Sequence, residues 1–357
     1  MCNVSGFFPT DSDVLSCDDL YSGEDNEINI LDLPDLVLAG DSPPEGAPVK
    51  SLFIYNHNPV AVHPRQGTMQ AALQREDVFI VGSDITMTDS MQYADIILPA
   101  ASHLEYSDLY QSYGHAYLQQ SEPAIDPVGE ALPNTDIFRR LAARFNFTDK
   151  VFQASDQELI DQALDFDHPA LQGRERSALS PVSAVDCLLD HNGQPTPTLL
   201  RGESADTPSG KIELFCAALE QECGEGLPQW KPQQKEYPFI LVSPSSEKRT
   251  NSTFGHIEGH DSDVVLEMHA RDAKALQLSD GQTVQVYNQQ ASVTLALKVS
   301  DRIKPGTLYT PKGAWLKSAR HTINALIPGH KADLAGGACY NDTQVNVKAA
   351  SELPNRL

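Results

Sequence analysis

The sequence is short of several things, and each shortage removes a class of protein. No apolar run approaches the ~20 residues needed to span a bilayer, so no membrane span is expected. The opening stretch, Met1-Cys-Asn-Val-Ser-Gly-Phe-Phe-Pro9, has no basic n-region and no cleavable apolar segment, which argues against secretion. Bases are scarce: 26 Lys and Arg face 49 Asp and Glu, for a net charge of −23. Nucleic-acid binders draw affinity from Lys and Arg on phosphates, so no nucleic-acid partner is expected. The six cysteines (Cys2, Cys17, Cys187, Cys216, Cys223, Cys339) include no C-x-x-C pair. That spacing suits neither a disulfide framework nor a zinc or iron–sulfur site, and predicts reduced thiols in a cytoplasmic chain. Also absent are G-x-G-x-x-G, the P-loop G-x-x-x-x-G-K-[ST], a nucleophile elbow, the kinase set and H-E-x-x-H.

What is present is enough for two domains: 357 residues, 40% apolar and 21% charged. The first fifty residues carry eleven acids and one base, a net −10 of the total −23, and end in the breaker-rich Gly40 to Pro48. Residues 1–48 therefore read as an acidic lead-in, the remnant of a preceding domain, with one short helix near Ile28 to Leu38. Residues 49–168 read as an α/β nucleotide-binding domain. Ser51–Tyr55 is a strand expected to be buried on both faces, followed by a helix over Gln66–Arg75 and a strand at Val78–Val81. A helix over Thr88–Ala94 and a strand at Asp95–Pro99 complete the run. That alternation predicts a doubly wound, Rossmann-like parallel sheet. Helices are expected at Asp136–Phe145 and Asp156–Leu164. Residues 169–236, rich in Pro, Gly and Ser, read as a connector with a short strand in Thr207–Leu214 and a helix around Phe215–Gln221. Residues 237–350 read as a mostly antiparallel β-barrel, with strands at Phe239–Val242, Thr283–Tyr287, Ser292–Val299, Gly306–Pro311 and Thr343–Val347 and a helix over Ala270–Leu278.

In an open α/β sheet, ligands bind beyond the carboxyl ends of the strands, where strand order reverses. That rule selects Asn56-His-Asn-Pro59, Gly82-Ser-Asp84 and Pro99 to Glu105. Asn and Asp at such tips can read a purine edge or ribose hydroxyls; the alternative is that they only turn the chain. On the barrel, Ser243 to Gly259 crowds donors together, among them Lys248, Arg249, Asn251, Ser252 and Thr253. Lys312 to Asn324, with Trp315, offers a second polar loop. Cations in two such loops of an acidic chain point to an anionic ligand. His256 and His260, with Asp261 and Asp263, have a metal-like spacing, but Gly255 and Gly259 argue against a helix and favour a loop contact. A metal-dependent hydrolase built on them is an outlying alternative. His103 and Glu105 could perform acid–base work or serve as a loop contact.

Several motifs in order carry a resemblance: Asn58-Pro59, Ala94-Asp-Ile-Ile-Leu-Pro-Ala-Ala101 with Glu105, Thr207-Pro-Ser-Gly-Lys211, Asp280-Gly281 and Ile303-Lys-Pro-Gly306. From about Val49 to Val347 the chain resembles the molybdopterin oxidoreductases of the dimethyl sulfoxide reductase type. The resemblance implies two molybdopterin guanine dinucleotides around one molybdenum or tungsten, with a double-psi barrel covering both. Asn56, Asn58 and Asp84 would meet the guanosine end. Asn251, Ser252, Thr253, Trp315 and Asn324, with Lys248 among the neighbouring donors, would approach the pterin and pyrophosphate. The family places its iron–sulfur domain and its metal ligand well before the Asn-Pro motif, and Cys2 and Cys17 lie too close to Asn58 to match that ligand. Tyr113-Gly114-His115 replaces the Gly-Thr and Asn-x-Glu-Gly-Arg pattern. The expectation is the C-terminal half of such an oxidoreductase, with no metal ligand of its own and no catalytic residue assigned. Its partner would be the missing N-terminal half or a separate subunit. The alternative is a cofactor-binding or assembly module of a split protein, inactive alone.

Overall fold

The computed structural model describes residues 8–11, 27–44, 46–111, 115–189, 192–194, 207, 209–232, 234–260, 263–317 and 321–350. The chain forms two compact units, one from Met1–Glu24 and Ala101–Gln233, the other from Asp25–Ala100 and Gln234–Leu357. It leaves the second unit after Ala100 and returns to it at Gln234.

The second unit opens with α1 (Leu33–Ala39), which has Pro34 in its first turn and closes on Gly40. β1 (Ser51–Tyr55), α2 (Pro59–Val62), α3 (Gln66–Leu73), β2 (Phe79–Asp84), a 3-10 turn at Met91–Tyr93 and β3 (Ile96–Pro99) follow. The three strands are parallel and lie in chain order, β1-β2-β3. Two expectations are corrected here. Strand order never reverses, so the sheet is not doubly wound and contains no switch point. Nor is β1 buried on both faces. Leu52, Ile54 and Ile80 pack with Val60, Met69 and Leu73. Phe53, Tyr55, Phe79 and Ile96, which the strand register puts on the opposite face, are 39 to 48% exposed. An apolar run alone does not say which face has a cover. The helix expected over Thr88–Ala94 shrinks to the 3-10 turn because its polar side chains make other bonds: Thr88 Oγ1 accepts from Met91 N, Ser90 Oγ donates to Asn58 and Asp89 accepts from Leu316 N.

The first unit carries a three-stranded antiparallel sheet ordered β4 (Asp108–Gln111), β5 (Tyr117–Ser121), β6 (Val185–Asp186). Its helices are α4 (Asn134–Phe145), α5 (Asp156–Ala163) and α6 (Ala217–Cys223), and its core gathers Leu118, Ile160, Leu171 and Val185. α5 starts with a reciprocal cap: Ser155 Oγ accepts from Glu158 N, and Glu158 accepts from Ser155 N. None of β4 to β6 is evident from the sequence, because they are short and interrupted by polar residues. The strand expected in Thr207–Leu214 is absent among the described residues; Ile212 and Leu214 lie exposed there, with no sheet to bury them.

Back in the second unit, β7 (Phe239–Val242), β8 (Leu266–Met268), α7 (Ala270–Ala275), β9 (Thr283–Tyr287), β10 (Ser292–Val299), β11 (Thr307–Tyr309) and β12 (Thr343–Ala349) build a closed barrel. Its order is β10-β8-β11-β7-β12-β9, with β10–β8 and β11–β7 parallel and the other pairs antiparallel. Leu241, Leu266, Met268, Val284, Val286, Leu308 and Val345 fill its interior. Period-two alternation puts them there in β9 and β12. β8 is the strand that the sequence hides, three residues long and wholly buried, its Glu267 held by Lys298 at 2.7 Å.

Candidate functional site

The loops at the carboxyl ends of the sheet strands and one rim of the barrel meet along a hydrogen-bonded seam inside the second unit. Gln66, at the start of α3, gives its amide N–H to Thr322 Oγ1 at 3.0 Å and accepts from Thr322 N at 2.7 Å. Asn324 donates to the Val62 and His63 carbonyls at 2.7 and 3.3 Å. Leu316 N donates to Asp89 at 3.0 Å, and Tyr340 donates its hydroxyl proton to Val62 O at 2.7 Å. Loops that no strand-order reversal unites are thus brought together by the barrel.

The expected site residues fall into two groups along this seam. Asn58 and Asn324 are braces. Asn58 is buried, and its Oδ1 accepts from Ser90 N and Ser90 Oγ, tying the end of β1 to the β2–β3 connection. Asn58 Nδ2 and Asn324 Oδ1 are buried with no protein partner. The rest sit on the rim: Asn56, Asn251 and Thr253 exposed, Asp84, Lys248, Ser252 and Trp315 half-buried. Asn56 and Asn251 adopt left-handed backbone conformations, φ 52 and 50, which Asn tolerates better than most residues. The barrel loops grip each other closely. Trp315 Nε1 donates to Ser252 O at 2.7 Å, and Gly255 lies flat against the indole, where a Cβ would stand 2.1 Å from the ring. Gly313, at φ +86, passes so near Asn251 that a Cβ would lie 1.6 Å from its carbonyl oxygen. Thr253 Oγ1 donates to Thr250 O and accepts from Thr250 N, closing a local turn.

The electrostatics of this rim are uneven. Burial raises the Asp84 carboxyl, against opposing contributions from the Ile85 and Thr86 backbone N–H groups and His256. Asp89 is likewise raised by burial. On the other side, basic groups gather. His57 and His63 place their Nε2 atoms 2.7 Å apart, and Lys312 Nζ lies 4.4 Å from the Tyr340 ring centroid. Burial lowers His57, and burial with the charges of His57 and Lys312 brings His63 down to about 4. Burial also lowers Lys312 and lifts the Tyr340 phenol to about 12. The histidine pair escapes a sequence reading, although its signal exists: a histidine on each side of an Asn-Pro that starts a one-turn helix.

The outlying alternatives find no support, and the loop contacts favoured over them are what the structure shows. His260 binds the Lys248 carbonyl, while His256 packs beside Trp315 with ring centroids 6.1 Å apart, so the two share no centre. Asp261 lies outside the described residues, and among the described residues no three His, Cys, Asp or Glu side chains form a metal-holding group. Arg249 is a structural cation, 1% exposed at its side chain and paired to Asp263 at 2.8 Å. In the first unit Glu105 accepts from Ser102 N and Val128 N, bonds that lower its carboxyl, while His103 is exposed; no acid–base pair forms.

Comparison with known proteins matches two stretches of the chain. A family model described as Molybdopterin oxidoreductase matches residues 35–144, and one described as Molydopterin dinucleotide binding domain matches residues 239–344. The chain is 33% identical over 353 residues to the probable oxidoreductase YoaE of Bacillus subtilis, covering 96% of this chain and 50% of that protein. It is 27% identical over 331 residues to a putative dimethyl sulfoxide reductase catalytic subunit of Halobacterium salinarum, covering 86% and 38%. The solved structure of acetylene hydratase from Pelobacter acetylenicus superposes with a TM-score of 0.70 at 22% identity, covering 89% of this chain and 46% of that one, which speaks to the fold. The chain thus spans half or less of the length of these relatives.

Proposed function

The chain belongs to the molybdopterin oxidoreductases of the dimethyl sulfoxide reductase type, and from that premise we propose that it is the dinucleotide-gripping portion of a molybdenum or tungsten enzyme. In this reading the barrel is of the double-psi type, and its two parallel strand pairs support that assignment. The guanosine end of a molybdopterin guanine dinucleotide lies against Asn56 and Asp84; the pterin and pyrophosphate approach Lys248, Asn251, Ser252, Thr253 and Trp315. Asn58 and Asn324 hold the seam behind them.

The observation that carries this reading is the seam itself. Loop tips of the parallel sheet and a donor-rich barrel rim are hydrogen-bonded to each other within one compact unit, which supports one shared ligand surface. The residues fit an oxygen-rich, phosphate-bearing group: hydroxyl, amide and cationic donors line the rim, and two buried amides keep one atom each unpartnered. When bound, the metal on its pterins supplies two-electron or oxygen-atom transfer. The chain's own residues then bind and orient. Asp84, at the end of β2, would accept N–H groups of the purine edge. Trp315, tied to Ser252, fixes the loop that carries Asn251. No residue of this chain is assigned as the protein ligand to the metal, as an iron–sulfur ligand or as a contact of the electron partner.

A second reading, a cofactor-binding or assembly module that works only with another polypeptide, draws support from the exposed apolar face of the sheet. Both readings meet one experiment. Asp84→Ala and Asn251→Ala, each in the chain reconstituted with the remainder of its enzyme, should lower bound metal and guanine nucleotide together. Each leaves a cofactor polar group unpaired at a cost of about 1–3 kcal/mol. Unchanged metal and nucleotide content in both variants would refute the assignment. Dye reduction by the purified chain alone, with metal bound, would remove the module reading.

A further inference from the structure

The basic cluster at the seam has no task in the assignments above. The one-turn helix α2 reverses the chain between His57 and His63, so that two imidazoles from one loop stand edge to face with Nε2 atoms 2.7 Å apart. From the barrel, Lys312 Nζ sits over the Tyr340 ring, and the Tyr340 hydroxyl is anchored to the carbonyl of Val62, one residue before His63. In a chain of 49 acids and 26 bases, the charged groups acting on His63 are His57 and Lys312, both of its own sign. Gathering like charges in a half-buried place costs stability, and all three basic groups are held toward their neutral forms. An arriving anion would reverse that cost.

We propose that His57, His63 and Lys312, braced by Tyr340, form an anion site for a phosphate or diphosphate group, and that the histidine pair takes up one solvent proton when the group binds. The neutral pair spends its single Nε2 proton between the two rings. A second proton makes both Nε2 atoms donors, so the ring contact must open, and one N–H is released to point at the anion. Among the described residues, those that build the site are His57 and His63 from the β1–α2 loop and the end of α2, Lys312 from the loop after β11, and Tyr340 from the loop before β12. The anion has two sources, the diphosphate of the dinucleotide cofactor or free phosphate. Only the first rests on the function proposed above.

The test uses the full chain, titrated with inorganic phosphate, inorganic diphosphate and guanosine diphosphate, with the histidine imidazoles observed by nitrogen-15 NMR. The expected result is movement of the His57 and His63 signals toward imidazolium, with net uptake of close to one proton in calorimetry across buffers of different ionisation heat. Affinity should fall by about tenfold per pH unit above neutrality, as uptake of one proton requires. His63→Gln and Lys312→Met should each weaken diphosphate binding by about tenfold, the loss of a charge-assisted bond. If the cofactor is the source, guanosine diphosphate binds more tightly than diphosphate and Asp84→Ala erases the difference. If free phosphate is the source, Asp84→Ala changes nothing. Histidine signals unmoved by all three anions overturn the site, even where Asp84→Ala and Asn251→Ala lower cofactor content. Shifted histidines with unchanged cofactor content in those variants overturn the proposed function instead. The wild-type titration decides, whatever the variants do to folding.

Discussion

The barrel and the three-stranded sheet belong to the same compact unit and end on the same seam, yet they are finished to different degrees. The barrel is closed, so its strands leave no edge, and its apolar residues fill the interior. The sheet is covered on one face by α2 and α3, while the other shows Phe53, Tyr55, Phe79 and Ile96 to solvent. One region completes its own core; the other completes only half. The contrast teaches where the information sits. A closed element buries its own apolar side chains, while an open one leaves part of them bare.

The sharpest way to break this comparison is Leu308→Ala. Leu308 is fully buried on β11, between β7 and β8, at the centre of the barrel. Truncation should cost about 2–5 kcal/mol, read as a drop in denaturant midpoint. A loss below about 1 kcal/mol would mean that the barrel interior relaxes around a cavity and is not the rigid partner in the contrast.

The junction between the regions gives a second effect. His63 stands at about 4, against an ordinary value of 6.5, through burial first and the charges of His57 and Lys312 second. Its neutral form is therefore favoured in the fold. As pH falls through 6.5 the unfolded chain takes up a proton that the folded chain refuses, so stability is complete above 6.5 and drains away toward 4. The contribution is about 3 kcal/mol. Asp84 and Asp89, raised by burial, act in the opposite direction on acidification. The measurement is therefore the difference between wild type and His63→Gln at pH 7 and pH 4.5, without phosphate. Parallel behaviour of the two proteins would remove His63 from the junction's energetics.

How much of this is legible in the sequence differs by region for the same reason. The period-two strands β9, β10 and β12 can be read because half of each residue set has to face a filled interior. β1 and β2 can be read as strands, but not the exposure of Phe53 and Phe79, since an apolar run looks the same covered or bare. The 3-10 turn at Met91 reads as a helix because composition does not record that Ser90 and Asp89 are bonded to Asn58 and Leu316. The seam contacts Gln66–Thr322 and Asn324–Val62 join residues more than 250 positions apart. No local pattern carries such a pairing. Asn58 and Asn324 stand out for their chemistry, and the structure spends one amide atom of each on the seam while the other stays buried without a protein partner.

The smallest expected effect tests the bare face directly. Phe53→Ser with Phe79→Ser should lower the unfolding free energy by about 1–2 kcal/mol, because side chains 39 and 48% exposed give up only the part of their apolar surface that the fold covers. The same pair should reduce self-association in sedimentation, since it dissolves a contiguous apolar patch. A loss of several kcal/mol would show that the face is already covered within the chain, and the contrast with the barrel would collapse. A loss of only about 1–2 kcal/mol together with less self-association would instead assign the bare part of Phe53 and Phe79 to association, because the surface that the fold leaves open can be removed without emptying a core.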